Sequence, residues 1–411
     1  MKMNEYQLET IKRRLSTIKQ DSPFYGNMYA DVDTSKVVDQ KTFEELPFTD
    51  KCDLRVAYPL GLAAVPKKDI VRIHSSSGTT GTPVIIPYTK KDIDDWTIMF
   101  ERCYRMAGIT DEDCIQVTPG YGLWTAGIGF QCGSERIGAM TLPMGPGNTD
   151  KQIQFMIDFN STVLCSTSSY ALLLSEEIKK RGVGDKLSLK KGIIGSERWG
   201  EKMRNRIASD LGVELYDIYG LTEIYGPGIG ISCDYSNGIH LWDDYIYFEI
   251  IDPITGEVLP DGEEGELVIT TLQKEGAPLI RYRTHDLTRI IHGKCTCGSS
   301  FPRVDIITGR TDDMVKVKGV NMFPAQFEEV LAETEGPESE YQVMIDHPEG
   351  KDLLTLYFET KVPESEYKNL EKEIQDRFKS KVGVTIAPKA VNVGDLPRSE
   401  KKTSRIFDNR Y

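Results

Sequence analysis

Ser75, Ser76, Ser77, Gly78, Thr79 and Thr80 stand in the run HSSSGTTGTP, between His74 and Pro83. A loop of hydroxyls and glycines can turn several backbone amides and O–H groups toward one point, which suits phosphate oxygens. It joins the strand-like segments IVRIH and VIIPYT, and Gly78 and Gly81 permit close backbone approach. Composition alone also fits a flexible linker, and no Gly-Lys-Ser/Thr ends the run as in the common phosphate loop.

A second group carries metal chemistry. Cys295-Thr-Cys297-Gly is a compact pair of thiols in a turn, while Cys233 and His240 bound the predicted hairpin CDYSNGIH. Three thiolates and one imidazole suit a tetrahedral structural zinc. The alternative is a set of reduced cysteines and a surface histidine. A catalytic zinc is not expected, because no activated-water partner is evident. Cys52, Cys103, Cys114, Cys132 and Cys165 stand apart, mostly in apolar runs, and read as buried thiols.

These groups need a frame. A chain of 411 residues with 39% hydrophobic content supports two or three packed domains. The net charge of −13, with no concentrated basic tract, argues against a nucleic-acid or anionic-membrane partner. The opening MKMNEYQLETIKRRL alternates charged and apolar residues, unlike a signal peptide, and no segment approaches the roughly 20 apolar residues of a membrane span. A cytoplasmic enzyme is the expectation.

Residues 1–60 read as a helical cap broken by QDSPFYGN and ELPFTDK. Between Asp92 and Leu211, helical DIDDWTIMFERCYRMAG and SSYALLLSEEIKKRG alternate with strand-like STVLCST and KKGIIGS, which implies a largely parallel sheet covered by helices. Ile239 to Leu287 turns to β-rich hairpins. From Gly309 to Tyr411 a small α+β domain follows, with Pro324 in a helix's first turn.

Four further stretches follow the serine-rich loop in order: YDIYGLTEIYGPG, RYRTHD, GRTDDMVKVKGVNMFP and LPRSEKKTSR. In this order and at these separations they resemble the signature motifs of the adenylate-forming superfamily. Within it, DSPFYGNMYA, LPFTDKCDLRVAYPLG and the DIYGLTE…GPG phrasing resemble the phenylacetate-CoA ligases and their aryl-CoA ligase relatives.

The resemblance implies an α/β fold, with a large multi-sheet AMP-binding domain at 1–308 and a small mobile α+β lid at 309–411. It also implies that an aryl carboxylate reacts with ATP to give an acyl-adenylate and pyrophosphate. The acyl group then passes to the thiol of coenzyme A. An adenylating enzyme with a carrier-protein thiol as acceptor, or a nucleotide-binding sensor without turnover, are the alternatives. A homodimer is the expected assembly.

By the same resemblance, Ser75 to Thr80 hold the β- and γ-phosphates; Gly195, Ser196 and Glu197 border adenine. Asp217, Ile218, Tyr219 and Gly220 form the adenine-side strand, with the Tyr219 ring as a stacking face. Thr222 meets the α-phosphate, Glu223 binds Mg²⁺, and Asp286 accepts from the ribose hydroxyls. Arg310 meets ribose or phosphate, and Asp312 is the hinge. Lys402 stabilises charge in the adenylation transition state. Tyr121, Trp124, Phe130 and Trp199 are candidates for the acid pocket.

The pattern departs from the family in three places. Thr82 stands where a lysine usually follows the loop's second glycine, so another group must supply that charge. His285 stands at a usual glycine, so the backbone must avoid a glycine-only conformation or bear its strain. Lys401-Lys402 replaces Gly-Lys.

Overall fold

In the computed structural model the described residues are 2–76, 82–197, 199–234, 238–313, 315–317, 320–348, 352–398 and 405–410. Ser77, Gly78, Thr79, Thr80 and Lys402 therefore lie outside the described residues. The chain forms two compact units. One comprises Met1–Gly145, Ser161–Cys165 and Tyr216–Ile307; the other comprises Pro146–Asn160, Ser166–Leu215 and Thr308–Tyr411.

In the first unit, Arg72–Ser75 and Ile85–Tyr88 pair antiparallel, Arg72 opposite Tyr88, and carry the ends of the serine-rich loop. Thr89 and Asp92 close a reciprocal capping box that starts the helix Lys90–Met106. Trp96, Phe100 and Tyr104 recur at i, i+4, i+8 on its buried face. Helix Thr125–Ile137 can lie against that face only because Gly129 and Gly133 meet it. A Cβ on Gly129 would come within 2.5 Å of the Trp96 and Phe100 rings, and one on Gly133 within 2.4 Å of the Phe100 Cβ.

Strand Cys114–Val117 runs parallel to Met140–Pro143 on one side and to Val163–Thr167 on the other, as alternating strand and helix predict. Farther along the chain the pairing becomes antiparallel. Glu214–Leu221 pairs with Gly226–Ser232, which pairs with Ile239–Leu241; Arg303–Val304 and Ile290–Ile291 continue the series. A separate meander joins Ile246–Ile251, Gly265–Thr271 and Tyr282–Thr288.

The N-terminal helices are part of this unit. Ile11, Leu15, Ile18, Tyr25 and Phe43 pack with Tyr247, Leu272 and Ile280 of the meander. Buried Arg281 fastens the same junction, donating to Glu249 at 2.9 Å and to the Leu46 carbonyl at 2.7 Å. Such a buried pair fixes geometry more than it adds stability.

In the second unit, residues 308–411 form the expected small α+β fold. Its sheet runs Ala387–Asn392, Leu353–Thr360, Pro337–Asp346, Ile406–Asp408, with helices Pro324–Glu333 and Tyr367–Val382 packed on it. Phe327, Val343, Leu356, Ile374 and Phe378 fill its core. The second unit takes up the chain again at Thr308. The unit also takes in helices Thr149–Asp158, Ser168–Arg181 and Glu201–Leu211, which the sequence reading placed in the larger domain. The reason is polar: charged side chains of the last two helices reach residues 331–398, a contact that hydrophobic periodicity does not reveal.

Candidate active site

The base of the serine-rich loop is fixed on both sides. Ser76 N–H donates to the Val84 carbonyl at 3.0 Å, and Val84 N–H donates back to Ser76 Oγ at 3.1 Å. Ser75 N–H donates to the Leu123 carbonyl at 2.9 Å, while its Oγ donates to the Ser76 carbonyl at 2.9 Å. Next to it, the His74 ring is buried edge-on against Tyr88 and Trp96, with Nδ1 at 3.1 Å from the same Leu123 carbonyl. Burial pushes the His74 pKa down to about 4, so the ring is neutral at pH 7 and Nδ1 donates. A linker would need none of these ties.

The strand Glu214–Leu221 carries the second group of residues. Asp217 N–H donates to Ser232 Oγ at 2.8 Å, and Ile218 faces Ile231 across the ladder. Gly220 tolerates no side chain, since a Cβ there would sit 2.0 Å from the Gly226 carbonyl oxygen. Tyr219 Oη donates to Asp286 Oδ2 at 2.6 Å, joining residues that are 67 positions apart. This bond brings together two motifs quoted separately above. Asp286 stands at a buried strand position, where a carboxylate is suited to gripping a hydroxylated ligand.

His285, beside Asp286, has φ of +66°. The backbone thus adopts the left-handed conformation that the usual glycine would take freely, and histidine bears the strain. Its neighbours help hold it: Glu266 Oε1 accepts from the His285 N–H at 3.3 Å and Glu266 is itself gripped by Arg283 at 2.6 Å.

Glu223 follows at the turn and is only 4% exposed. Its Oε1 makes no hydrogen bond of good geometry, yet Lys51 Nζ lies 3.2 Å away. A buried carboxylate oxygen with a cation beside it fits a site for a divalent ion and phosphate oxygens. Thr222 Oγ1 stands 3.4 Å from Thr125 Oγ1, which ties this turn to the start of helix Thr125–Ile137.

Sequence reasoning missed Lys51 and Lys274. Lys51 occupies the first position of helix Lys51–Val56, behind the Asp50 cap. A cation at the positive end of a helix is misplaced unless an anion faces it, and that was the available signal. Lys274 is fully buried between the rings of Tyr88 and Tyr225, 4.3 and 4.6 Å from their centroids, and donates to the Ile224 carbonyl. Burial pushes its pKa down to about 7, against the pull of Asp92 and Glu223. It supports the turn carrying Glu223 from beneath.

Of the acid-pocket candidates in this unit, Trp124 is 53% exposed as the residue before helix Thr125–Ile137, and Tyr121 is half-buried with an unpartnered hydroxyl. Phe130 is 2% exposed and stacks edge-on with Phe100 at 5.1 Å, so it packs as core.

The remaining site residues belong to the second unit. Gly195 ends strand Lys191–Gly195, and Ser196 turns the chain with φ of +70°. Glu197 accepts from Ser168 Oγ at 3.0 Å and from Ser169 N–H at 2.9 Å, capping helix Ser168–Arg181. Trp199 lies under Arg204, 5.4 Å from ring centroid to guanidinium. Arg310 and Asp312 form a two-pronged ion pair at 2.7 and 2.8 Å.

In the first unit, Cys233, His240, Cys295 and Cys297 converge, with their ligand atoms all within 4.8 Å of one another. Cys233 Sγ lies 3.6 Å from Cys295 Sγ, and Cys297 Sγ 3.4 Å from His240 Nε2. His240 Nδ1 is 3.1 Å from the Phe301 carbonyl, which leaves the Nε2 lone pair facing the thiols. The ladder explains the meeting: Ile231 lies opposite His240, His240 opposite Arg303 and Arg303 opposite Ile291, so the strands that flank the 295–297 turn run beside the strand that leads to Cys233.

Comparison with known proteins gives the family. The AMP-binding enzyme family matches residues 18–273, and the AMP-binding enzyme C-terminal domain matches residues 319–410. The chain is 38% identical to the phenylacetate-coenzyme A ligase of Pseudomonas putida, over 99% of this chain and 94% of that one. It is 40% identical to the enzyme of the same name from Escherichia coli K12, over 98% and 94%. Among solved structures, 2-hydroxyisobutyryl-CoA ligase in the postadenylation state with 2-HIB-AMP superposes with a TM-score of 0.88 at 25% identity, covering 98% of this chain and 89% of that one. The chain belongs to the AMP-binding enzymes and, within them, to the phenylacetate-coenzyme A ligase family: it is an ATP-dependent ligase that activates a carboxylic acid and transfers it to coenzyme A.

Proposed function

We propose that the acid is an aryl carboxylate of the phenylacetate type. Attack of a carboxylate oxygen on the α-phosphorus of ATP expels pyrophosphate, and the coenzyme A thiolate then displaces AMP from the acyl carbon. The nucleotide side of this reading is supported by the Tyr219–Asp286 hydrogen bond, which would join the adenine-side strand to the ribose-side carboxylate. The names of the relatives, together with exposed Trp124 and half-buried Tyr121, support the aryl class.

In this reading Ser75 to Thr80 take the β- and γ-phosphates, and Gly195, Ser196, Glu197, Asp217, Ile218, Tyr219 and Gly220 border the adenine. Thr222 takes the α-phosphate and Arg310 the ribose or phosphate. Glu223 would hold Mg²⁺, which supplies charge neutralisation on the phosphates; its oxygen without a hydrogen bond is the fit for such an ion. Lys51, 3.2 Å from Glu223, would supply the cation that Thr82 does not. Lys402 carries charge stabilisation in adenylation, Asp312 is the hinge between residues 1–308 and 309–411, Tyr121 and Trp124 are assigned to the acid pocket, and Trp199 is a further candidate for it. Cys233, His240, Cys295 and Cys297 hold a structural zinc, for which three thiols and a pre-oriented imidazole are a matched set. A homodimer in the reducing cytoplasm completes the proposal.

Acid-dependent pyrophosphate release with Mg-ATP, across aryl and fatty acids with and without coenzyme A, tests it. Release and thioester formation with phenylacetate are expected, and Lys402→Ala should abolish release while ATP still binds. Preference for a fatty acid overturns the aryl assignment. Unchanged pyrophosphate exchange in Lys402→Ala removes that lysine from the mechanism.

A further inference from the structure

Helices Ser168–Arg181 and Glu201–Leu211 present three charged side chains to residues 331–398. Lys202 Nζ donates to three backbone carbonyls at once, Leu331 at 2.6 Å, Thr334 at 3.1 Å and Pro337 at 2.9 Å. These lie where helix Pro324–Glu333 ends and strand Pro337–Asp346 begins, so one ammonium satisfies carbonyls that a helix terminus leaves open. Arg206 Nη1 donates to Ser339 Oγ at 3.2 Å. Glu176 accepts the fork of Arg398, from Nε at 3.1 Å and Nη2 at 3.0 Å.

The way these charges are partnered is informative. Arg398 is also held within its own fold, by two 2.8 Å bonds to the fully buried Glu359. Glu176 is held on its own side by Arg206, at 2.7 Å. If the Glu176–Arg398 contact opened, neither ion would be left buried and alone, which is the usual obstacle to separating such a pair. Lys202 would exchange neutral carbonyls for water. The contacts are therefore strong in geometry and cheap to undo, as a reversible docking surface requires.

Arg398 stands four residues before Lys402 in LPRSEKKTSR. We infer that Glu176 and Lys202 are positioning residues for adenylation: they latch the segment that leads to Lys402, and the latch opens before thioester formation. This rests on the ligase reading above, in which one cleft serves two half-reactions.

The test separates those half-reactions in the full-length enzyme, comparing Glu176→Gln and Lys202→Met with the parent. Phenylacetate-dependent pyrophosphate release without coenzyme A measures adenylation. Thioester formation from supplied phenylacetyl-adenylate and coenzyme A measures the second step. Each variant is expected to slow adenylation by about tenfold or more while the second step is unchanged or faster. Glu176→Gln keeps the shape of a partly exposed side chain, and Lys202→Met keeps the stem, so two independent variants guard against misfolding. Equal loss in both half-reactions, or no loss in either, overturns the latch. Absence of acid-dependent release in the parent enzyme would instead overturn the ligase reading.

Discussion

Tyr219 Oη and Asp286 Oδ2 are 2.6 Å apart, and both side chains are buried. The phenol thus orients the carboxylate before any ligand arrives. Tyr219→Phe removes one charge-assisted bond worth roughly 1–3 kcal/mol and keeps the ring. The KM for ATP should rise several-fold while kcat changes less than about twofold, since the bond is made equally in ground and transition states. Steady-state kinetics with ATP varied will show this; a fall in kcat at constant KM would contradict it.

Lys51 would compete with Mg²⁺ for Glu223 in a way that can be measured. With Nζ at 3.2 Å, the ammonium occupies part of the field that Mg²⁺ would fill. Lys51→Ala should lower the Mg²⁺ concentration for half-maximal pyrophosphate release and reduce kcat by about tenfold, because a phosphate-side cation is lost. If Mg²⁺ dependence and kcat both stay put, Lys51 has no part in the site.

His74 gives stability a pH dependence. Its folded pKa of about 4 lies below the unfolded value near 6.5, so between those values the unfolded chain binds more protons. Stability should therefore rise with pH from 4 to 6.5 and, on this account, be lower at pH 5 than at pH 7 by on the order of 2 kcal/mol. Urea melts at the two pH values, repeated on His74→Asn, report it. An unchanged difference in the variant would assign the slope to other groups.

The four-residue metal cluster predicts its own analysis. Protein purified without chelators should carry about one zinc per chain by elemental analysis, and Cys297→Ser should lose most of it. The melting temperature of the variant should fall by several degrees and respond little to added zinc. Equal zinc content in parent and variant would rule the cluster out.

Much of this architecture was legible because it is written locally. Thr89 and Asp92 announce their helix, and Trp96, Phe100 and Tyr104 announce its buried face. Cys233, His240, Cys295 and Cys297 draw notice by residue type, and His285 by standing at a glycine position. What stayed hidden was meeting across distance. Nothing near Lys51 points to Glu223, 172 positions on, and Lys274 looks like any surface lysine until Tyr88 and Tyr225 enclose it. The grouping of 166–215 with 308–411 was equally hidden, because Lys202, Arg206 and Arg398 hold it through polar atoms.

The contact of Gly129 and Gly133 with Trp96 and Phe100 also bears on how such a ligase could change its diet. At those two points, where even a methyl group has no place, helix Thr125–Ile137 cannot be remodelled to admit a bulkier acid without prying two helices apart. On the acid pocket proposed above, selection for a new substrate, natural or in the laboratory, would work through Tyr121 and Trp124. A library aimed at the middle of that helix would return mostly unfolded clones, whereas one aimed at its entrance would return enzymes.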